Sequence, residues 1–222
     1  MNNSVHSYCA ITSLIFALSS SISLANAAIR TPGPGDLVIS EVMANPSAVS
    51  DSVGEWFELF NPGMDSLILN NLVLSDNGRN RHQINASNDL LINRGQYFVL
   101  ARNGDSNING GIAADYVYSG FTLNNRSDAI IISLDGVEIT RLEYNAGFVK
   151  NGKSTELLSL PSETDDYQTT PDQLTYGAGD TGTPGAEGSS ELKVSAVPVP
   201  ASLWLFASGL MGICSIGKKK KG

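Results

Sequence analysis

The chain has almost no cysteine or histidine in its central part. Cys9 and Cys214 lie in apolar segments near the two ends, and of the two histidines only His82 lies between them. This distribution excludes a cysteine nucleophile, CxxC redox chemistry, thiolate or multi-histidine zinc sites and disulfides from the centre of the chain. At most one histidine-based catalytic arrangement remains there.

Positive charge is scarce as well. The 222 residues include 14 basic and 22 acidic side chains, and four of the basic ones are Lys218, Lys219, Lys220 and Lys221 at the end of the chain. The part that precedes this run is therefore more acidic than the net charge of −8 indicates. Because such a surface repels phosphate, we expect no nucleic-acid partner.

The N-terminal segment predicts a secretory signal peptide over residues 1–27. Residues 9–24 are apolar, with small polar interruptions, and they end in Ala25-Asn26-Ala27. Small residues at Ala25 and Ala27 form an A-x-A cleavage site, so the mature chain is expected to begin at Ala28 after export by the Sec machinery. The alternative is an uncleaved N-terminal anchor.

The C-terminal segment, residues 197–222, has three parts. Val197-Pro198-Val199-Pro200 leads into an apolar stretch over 201–217, and Lys218 to Lys221 follow it. The apolar stretch would be about 25 Å long as a helix, slightly short of a ~30 Å hydrocarbon core. The lysines predict that the end of the chain is cytoplasmic and the body lies outside.

This tail resembles the PEP-CTERM sorting signal of Gram-negative bacteria that make exopolysaccharide. The resemblance implies recognition by an exosortase-type processing enzyme near the proline motif, where Val199 replaces the family's usual Glu. The alternative is a permanent single-span membrane anchor. Either way we expect an exported protein at the cell surface or in the extracellular matrix, held at the inner membrane before the tail is processed.

The body between these segments predicts an all-β domain, an antiparallel sandwich of about nine short strands. Its apolar residues come in short runs rich in Val, Ile, Tyr and Phe, bounded by Gly, Asn, Asp and Pro. No run keeps a helical apolar stripe, so we expect no substantial helix in the body. The predicted strands begin at Leu37, Glu55, Leu67, His82, Gln96, Asp115, Ala129, Val137 and Thr155.

Two turns are specified by their residues. Asp135-Gly136 separates two apolar runs and predicts a two-residue type I′ hairpin. Asn61-Pro62-Gly63 is expected to end the aromatic strand, because proline cannot continue a ladder and glycine permits the turn.

The motifs along the body resemble the lamin-tail domain, an immunoglobulin-like sandwich. The matching stretches are LVISEVMANP at 37–46, GEWFELFNPG at 54–63, NLVLSD at 71–76 and GTPGA at 182–186. The resemblance spans about 36–186 and implies a binding or structural module with no catalytic motif. Residues 187–196 are then expected to be a linker to the tail, and an apolar helix is expected at each terminus.

Three carboxylates are candidates for acid–base chemistry. Glycoside hydrolysis needs two of them about 5 to 10 Å apart, and Glu41, Glu55 and Glu58 are available. Within one strand Glu55 and Glu58 point to opposite sides, so they are not a natural pair. The structural alternative is that Glu55 is solvated and Glu58 accepts hydrogen bonds from turn amides near Asn61 and Gly63.

The segment that begins at Asp105 matches the first half of a calcium loop. Asp105, Asn107 and Asn109 alternate before Gly110, and Asp115 follows next to the expected twelfth position. The glutamate of an EF-hand is missing, so a calcium site here would be of another type. The alternative is a solvated hairpin loop, which needs no metal.

Two further candidates involve rings. His82 could serve as a catalytic base only with a nucleophilic serine, and the sequence has no nucleophile turn such as G-x-S-x-G. His82 is therefore expected on a surface strand. Core packing is the default for the aromatic side chains of the body, which could alternatively include a sugar-stacking surface. Tyr116 and Tyr118 are two residues apart, hence on one strand face, and are the most plausible ligand-facing pair of such a surface.

Together these features predict a secreted or cell-surface, noncatalytic adhesive or structural module associated with extracellular polysaccharide or a surface protein. The expectation includes no catalytic residue and no cofactor. A carboxylate-dependent extracellular hydrolase and a calcium-dependent adhesion module are the alternatives.

Overall fold

The computed structural model describes residues 27–160, 166–190 and 193–194. This part of the chain forms strands and a single α-helix of four residues, α1 (Asp51–Gly54). The strands are β1 (Ile29–Arg30), β2 (Val38–Met43), β3 (Trp56–Phe60), β4 (Ser66–Ile68), β5 (Val73–Ser75), β6 (Arg81–Gln83), β7 (Leu91–Ile92), β8 (Tyr97–Ala101), β9 (Tyr116–Val117), β10 (Asp128–Leu134), β11 (Val137–Tyr144), β12 (Thr155–Leu157), β13 (Ser159–Leu160), β14 (Tyr167–Thr169), β15 (Thr175–Tyr176), β16 (Asp180–Thr181) and β17 (Lys193–Val194). The all-β prediction is confirmed.

Two sheets form the sandwich. A six-stranded sheet has the order β14-β12-β2-β3-β8-β9, and a four-stranded sheet has the order β11-β10-β5-β6. A third sheet, β1-β4-β7, is smaller. The main core lies between the two larger sheets and consists of buried side chains from both, among them Ile39, Val42, Phe57, Leu59, Leu100, Leu74, Ile130, Ile132 and Leu142.

The predicted hairpin between β10 and β11 is confirmed. Leu134 pairs with Val137, so the loop is two residues long. Asp135 has φ 49° and Gly136 has φ 82°, and a type I′ turn requires a positive φ at both positions.

The predicted aromatic strand also ends as expected, since β3 stops at Phe60. The Asn61 side chain then organises the turn: its Nδ2 donates to the carbonyls of Asp65 and Ile92, and its Oδ1 accepts from the amide of Gly63.

One predicted strand is wrong in its extent. The run that begins at Leu67 forms two strands, β4 and β5, in two different sheets. Asn71 lies between them with φ 68°, a left-handed conformation that interrupts an extended chain and that Asn tolerates better than most residues. The strand count therefore exceeds the nine expected.

The expected antiparallel pairing is confirmed for most strand pairs of the described residues, and three pairs are parallel. β1 pairs with β4, β9 with β8 and β17 with β13 in parallel. Each of these pairs includes a strand of only two residues, which is too short to show an alternation of apolar and polar side chains.

The chain beyond residue 186 stays in contact with the body. Ser189 donates to Glu156, and β17 pairs with β13, within the stretch 187–196 that is expected to lead to the tail. The signal segment up to Asn26, and the tail at 197–222 with the apolar helices expected at the two termini, lie outside the described residues. Within 27–160, 166–190 and 193–194, no helix is long and apolar enough to cross a membrane.

Candidate functional site

Three glutamates lie side by side on the six-stranded sheet. Glu58 of β3 pairs with Glu41 of β2, and Glu41 pairs with Glu156 of β12. Ser40 forms a bulge that shifts the register between Ile39 and Glu41 and places the glutamates on the face opposite to the main core. We call this the outer face.

The outer face is closed by residues 182–189, here named the strap. The amide of Thr183 donates to Glu41 Oε1 at 2.9 Å, and its hydroxyl donates to Glu41 Oε2 at 2.6 Å. The amide of Gly185 donates to Glu58 Oε2 at 2.6 Å, and the amide of Ser189 donates to Glu156 Oε2 at 2.8 Å. Each glutamate therefore holds one part of the strap.

Two glycines let the strap approach this closely. Gly185 has φ 82°, a conformation that strains residues with a side chain. At Gly188 a Cβ would lie 2.7 Å from Glu156 Oε2, too close for any other residue without a shift. Glycine thus favours both the shape of the strap and its close contact with the carboxylate.

The three glutamates are fully enclosed, and this affects the pKa of Glu41 and Glu58. Glu41, Glu58 and Glu156 are each 1% exposed. Loss of water raises the pKa of Glu58 to about 8. The hydrogen bond from Ser40 lowers this pKa in part, and the nearby charge of Glu41 raises it further. Loss of water also raises the pKa of Glu41, although Ser154 and Thr183 donate to it.

The enclosure leaves almost no space for a ligand. The cavity among Glu41, Glu58, Glu156, Tyr97 and their neighbours has a volume of about 10 Å³. That is room for one water at most. A sugar does not fit between these carboxylates while the strap is in place.

Glu55 lies on the inner side of the sheet, so the prediction that Glu55 and Glu58 face opposite ways is confirmed. The expectation that Glu55 is solvated is wrong: it is 2% exposed, because the segment around Leu123 folds over it. Its Oε2 accepts from the Leu123 amide at 3.1 Å and from Arg102 at 3.3 Å. Burial raises the pKa of Glu55 to about 7 despite these partners.

The donor expected for Glu58 is also corrected. Turn amides near Asn61 and Gly63 were predicted, but the Gly63 amide donates to Asn61 instead. Glu58 accepts from Gly185, which is 127 positions away in the chain. Sequence reasoning missed Glu156 as the third member of the row altogether; its only sequence signal is its place in a predicted strand.

The four calcium candidates make hydrogen bonds within the protein. Asp105 Oδ1 accepts from the amide and side chain of Asn107, and Asp115 Oδ2 accepts from the Val99 amide on β8. Asn109 is buried, with its Oδ1 accepting from Gly111 and Ile112 amides. No cluster of three or more His, Cys, Asp or Glu side chains suited to a metal ion occurs in the described part of the chain.

Tyr116 and Tyr118 have different environments, although both were considered for one ligand-binding face. Tyr116 bonds to His82 Nε2 at 2.8 Å and accepts from the Asn85 amide. Burial lowers the pKa of His82. Tyr118 is buried at 2% exposure against Phe57, so core packing, the default, is confirmed for Tyr118 and the two rings do not form a ligand-facing pair. β9 ends at Val117, and the alternation that predicted the pair does not continue beyond it.

A polar cleft opens between loops of the sandwich. It has a volume of about 560 Å³, and Leu123 is the one apolar residue that lines it; a second cleft of about 330 Å³ shares Ser127 and Asp128 with it. The lining residues of the larger cleft are Asp51, Asp76, Asn80, Thr122, Leu123, Asn124, Asn125, Arg126, Ser127 and Asp128. The polar cleft was not predicted, because three separate segments build it.

Hydrogen bonds fix the walls of the polar cleft. Asn125 donates to Asp51 Oδ2 at 2.7 Å, which ties the loop to α1. Asp128 Oδ2 accepts from the Asn124 amide at 2.9 Å. The cleft therefore presents amide, hydroxyl, carboxylate and guanidinium groups together, a mixture of donors and acceptors that suits a hydroxyl-rich ligand.

The two facing sheets define an immunoglobulin-like β-sandwich protein. The chain belongs to the lamin tail domain family, because the family model described as Lamin Tail Domain matches residues 30–146. No curated protein and no solved structure matches the chain. The matched residues include Glu41 and Glu58, whereas Glu156 and the strap lie beyond them. The hydrogen bonds from the strap to Glu41 and Glu58 therefore connect the matched region to a segment outside it.

Proposed function

We propose that the protein is a secreted or cell-surface, noncatalytic adhesive or structural module that contacts extracellular polysaccharide or a surface protein. One observation supports this most directly. Glu41, Glu58 and Glu156 are hydrogen-bonded to the strap, with about 10 Å³ left among them. A glycosidase needs its two carboxylates on either side of a bound sugar, whereas these are used to hold the chain together.

The polar cleft is the surface that best suits this role. Its walls combine planar amides with Thr122 and Arg126, groups that pair with sugar hydroxyls as donors or acceptors. Its open shape fits a segment within a long polymer rather than a small enclosed molecule.

Binding without turnover is the test. The full chain, purified in mild detergent, is incubated with neutral and acidic bacterial exopolysaccharides, and both the retained protein and newly released reducing ends are measured. We expect retention without release, and weaker retention for Asn125→Ala and Arg126→Ala. Asn88→Ala, an exposed amide outside the cleft, serves as the matched control.

Release of reducing ends that Glu41→Gln or Glu58→Gln abolishes would show a hydrolase and overturn the proposal. Equal retention of all variants would contradict the role of the polar cleft in binding, and the contact would then lie on another surface.

We further propose that residues 1–27 direct export and that the tail at 197–222 is a sorting signal processed by an exosortase-type enzyme. The support is the sequence pattern of the two ends. Intact mass measurement of protein recovered from a Gram-negative host that has such an enzyme tests it. We expect loss of the tail near Pro198-Val199-Pro200, and recovery of the uncut chain from the cytosol would contradict both parts.

A further inference from the structure

The first described residues of the chain make hydrogen bonds to two acidic side chains, Asp65 and Asp36. The amide of Ala28 donates to Asp65 Oδ1 at 3.1 Å, while the carbonyl of Ala28 accepts from Ser66 at 2.8 Å. Immediately after it, Ile29 and Arg30 pair with β4. Ala28, the residue that would become the first after cleavage, is thus hydrogen-bonded to Asp65 and Ser66 next to the β1–β4 pair.

The charges around Ala28 are unbalanced by one. Asp65 Oδ2 accepts from Arg30 Nε at 2.9 Å, and Arg30 Nη2 donates to Asp36 Oδ1 at 2.8 Å. Two carboxylates thus share one guanidinium, and their other donors are neutral backbone amides, Gly33 to Asp36 and Ala28 to Asp65. An ammonium group at the Ala28 nitrogen would balance the cluster.

Cleavage between Ala27 and Ala28 supplies that charge. Hydrolysis of the peptide bond adds one water, leaves a carboxylate on Ala27 and turns the Ala28 amide into an α-ammonium group at neutral pH. Both residues are exposed, so the new terminus forms at the surface without disturbing the core. A charged donor replaces a neutral one on the same acceptor, and charge-assisted hydrogen bonds are the stronger kind.

We propose that the mature chain begins at Ala28 and that its α-ammonium group forms an ion pair with Asp65. The proposal rests on the export part of the proposed function but is carried by the geometry at Ala28, Arg30, Asp36 and Asp65. It assigns a processing site and gives Asp65 a role as the receptor for the new terminus.

The ion pair is tested on the amine itself, since exposed ion pairs contribute little to stability. The chain 28–222, prepared in mild detergent with Ala28 as its first residue, is titrated, and reaction of its α-amine with an amine-selective reagent is followed against pH. We expect an amine pKa above the ordinary range of about 7.7 to 8.0. Asp65→Asn returns it to that range, and the exposed Asp89→Asn leaves it raised.

A second comparison covers the case in which Asp65→Asn folds poorly. The chain extended to begin at Ala27 places its amine one residue away from Asp65 and is expected to titrate in the ordinary range. Equal amine pKa values for the chains that begin at Ala27 and at Ala28, or for the wild type and Asp65→Asn, overturn the ion pair.

The processing site is tested separately on the full 222-residue precursor expressed in a Gram-negative host. N-terminal sequencing of the exported protein should give Ala28 first. Any other first residue overturns the assignment. A precursor that stays in the cytosol contradicts the export proposal, while the titration of the chain 28–222 still decides the ion pair.

Discussion

The two faces of the six-stranded sheet are equally buried, but by different kinds of contact. On the inner face Phe57 and Leu59 pack into the core between the sheets, with no exposed surface. On the outer face Glu41 and Glu58 are as deeply buried, and they accept hydrogen bonds from the strap. The inner face is therefore buried mainly by apolar packing, whereas the outer face combines hydrogen bonds to carboxyl groups with a second apolar cluster of Met43, Trp56, Val99, Ala101 and Ile112.

The difference shows what each kind of contact requires. Apolar packing tolerates many partners of suitable size, whereas a buried carboxylate is costly unless donors reach it with correct geometry. The outer face meets this condition with backbone amides, which glycines at 185 and 188 allow to come close. It is consequently the face on which a small change in one partner leaves a buried carboxyl group without a donor.

The largest expected effect is on the inner face. Phe57→Ala removes a ring that lies 5.8 Å from Tyr118 and 6.2 Å from Phe121 by centroid distance. We expect a loss of about 4 kcal/mol in the free energy of unfolding, measured by chemical denaturation, because the lost contacts leave a cavity. Val137→Ala, at a side chain that is 52% exposed, should change it little; similar losses for both would mean that the inner face is not the main core.

A smaller loss is expected from the outer face. Glu41→Ala removes the acceptor of both the amide and the hydroxyl of Thr183. We expect a loss of about 3 kcal/mol, since these partly buried donors and the buried hydroxyl of Ser154 lose their acceptor. Hydrogen exchange at Thr183 and Gly185 should accelerate as the strap detaches.

The matched control is Glu187→Ala, which removes an exposed glutamate from the strap itself. It should leave both the stability and the exchange rates nearly unchanged. If Glu41→Ala behaves like this control, the outer face is not held by its carboxylates and the comparison between the faces fails.

The pH dependence of stability tests the outer face next. The pKa of Glu58 is raised to about 8, above the ordinary value for an unfolded chain of about 4.3. The folded state then keeps a proton that the unfolded state has lost, so the contribution of Glu58 is greatest below pH 4 and falls as the pH rises to 8. Between pH 5.5 and 7 the fall is about 2 kcal/mol.

Glu58→Gln should abolish this part of the dependence, which urea denaturation at a series of pH values would detect. Glu55 has a raised pKa too, and its contribution has the same sign, so the informative quantity is the difference between wild type and variant. Parallel profiles for the two proteins would contradict a raised pKa at Glu58.

The inner face and its turns could largely be predicted from the sequence. Alternation places Phe57 and Leu59 on one side of β3, and Asp135-Gly136 allows a two-residue turn whatever surrounds it. These are local signals. The break at Asn71 was missed because both flanking segments are apolar, and only the pairing of β4 and β5 with different sheets separates them.

The outer face could not be predicted in the same way. The strap lies more than 120 positions away in the chain from Glu41 and Glu58. Its GTPGA sequence does not indicate which side chains accept its hydrogen bonds. Glu55 was expected to be solvated for the same reason, since nothing near it in sequence indicates that Leu123 covers it. Buried polar contacts between distant segments depend on the complete fold.

The smallest expected effect concerns a hydroxyl on the inner face. Tyr118 is buried, and its Oη is the one buried side-chain polar atom without a hydrogen-bond partner within the described ranges. A buried hydroxyl without a partner loses its hydrogen bonds to water, so Tyr118→Phe should leave stability unchanged or raise it by about 1 kcal/mol. Tyr167→Phe is the matched control, because its hydroxyl donates to the Ile39 carbonyl at 2.5 Å and its removal should lower stability. A loss at Tyr118 as large as that at Tyr167 would show that its hydroxyl has a partner, and the apolar face would then depend on polar contacts as the outer face does.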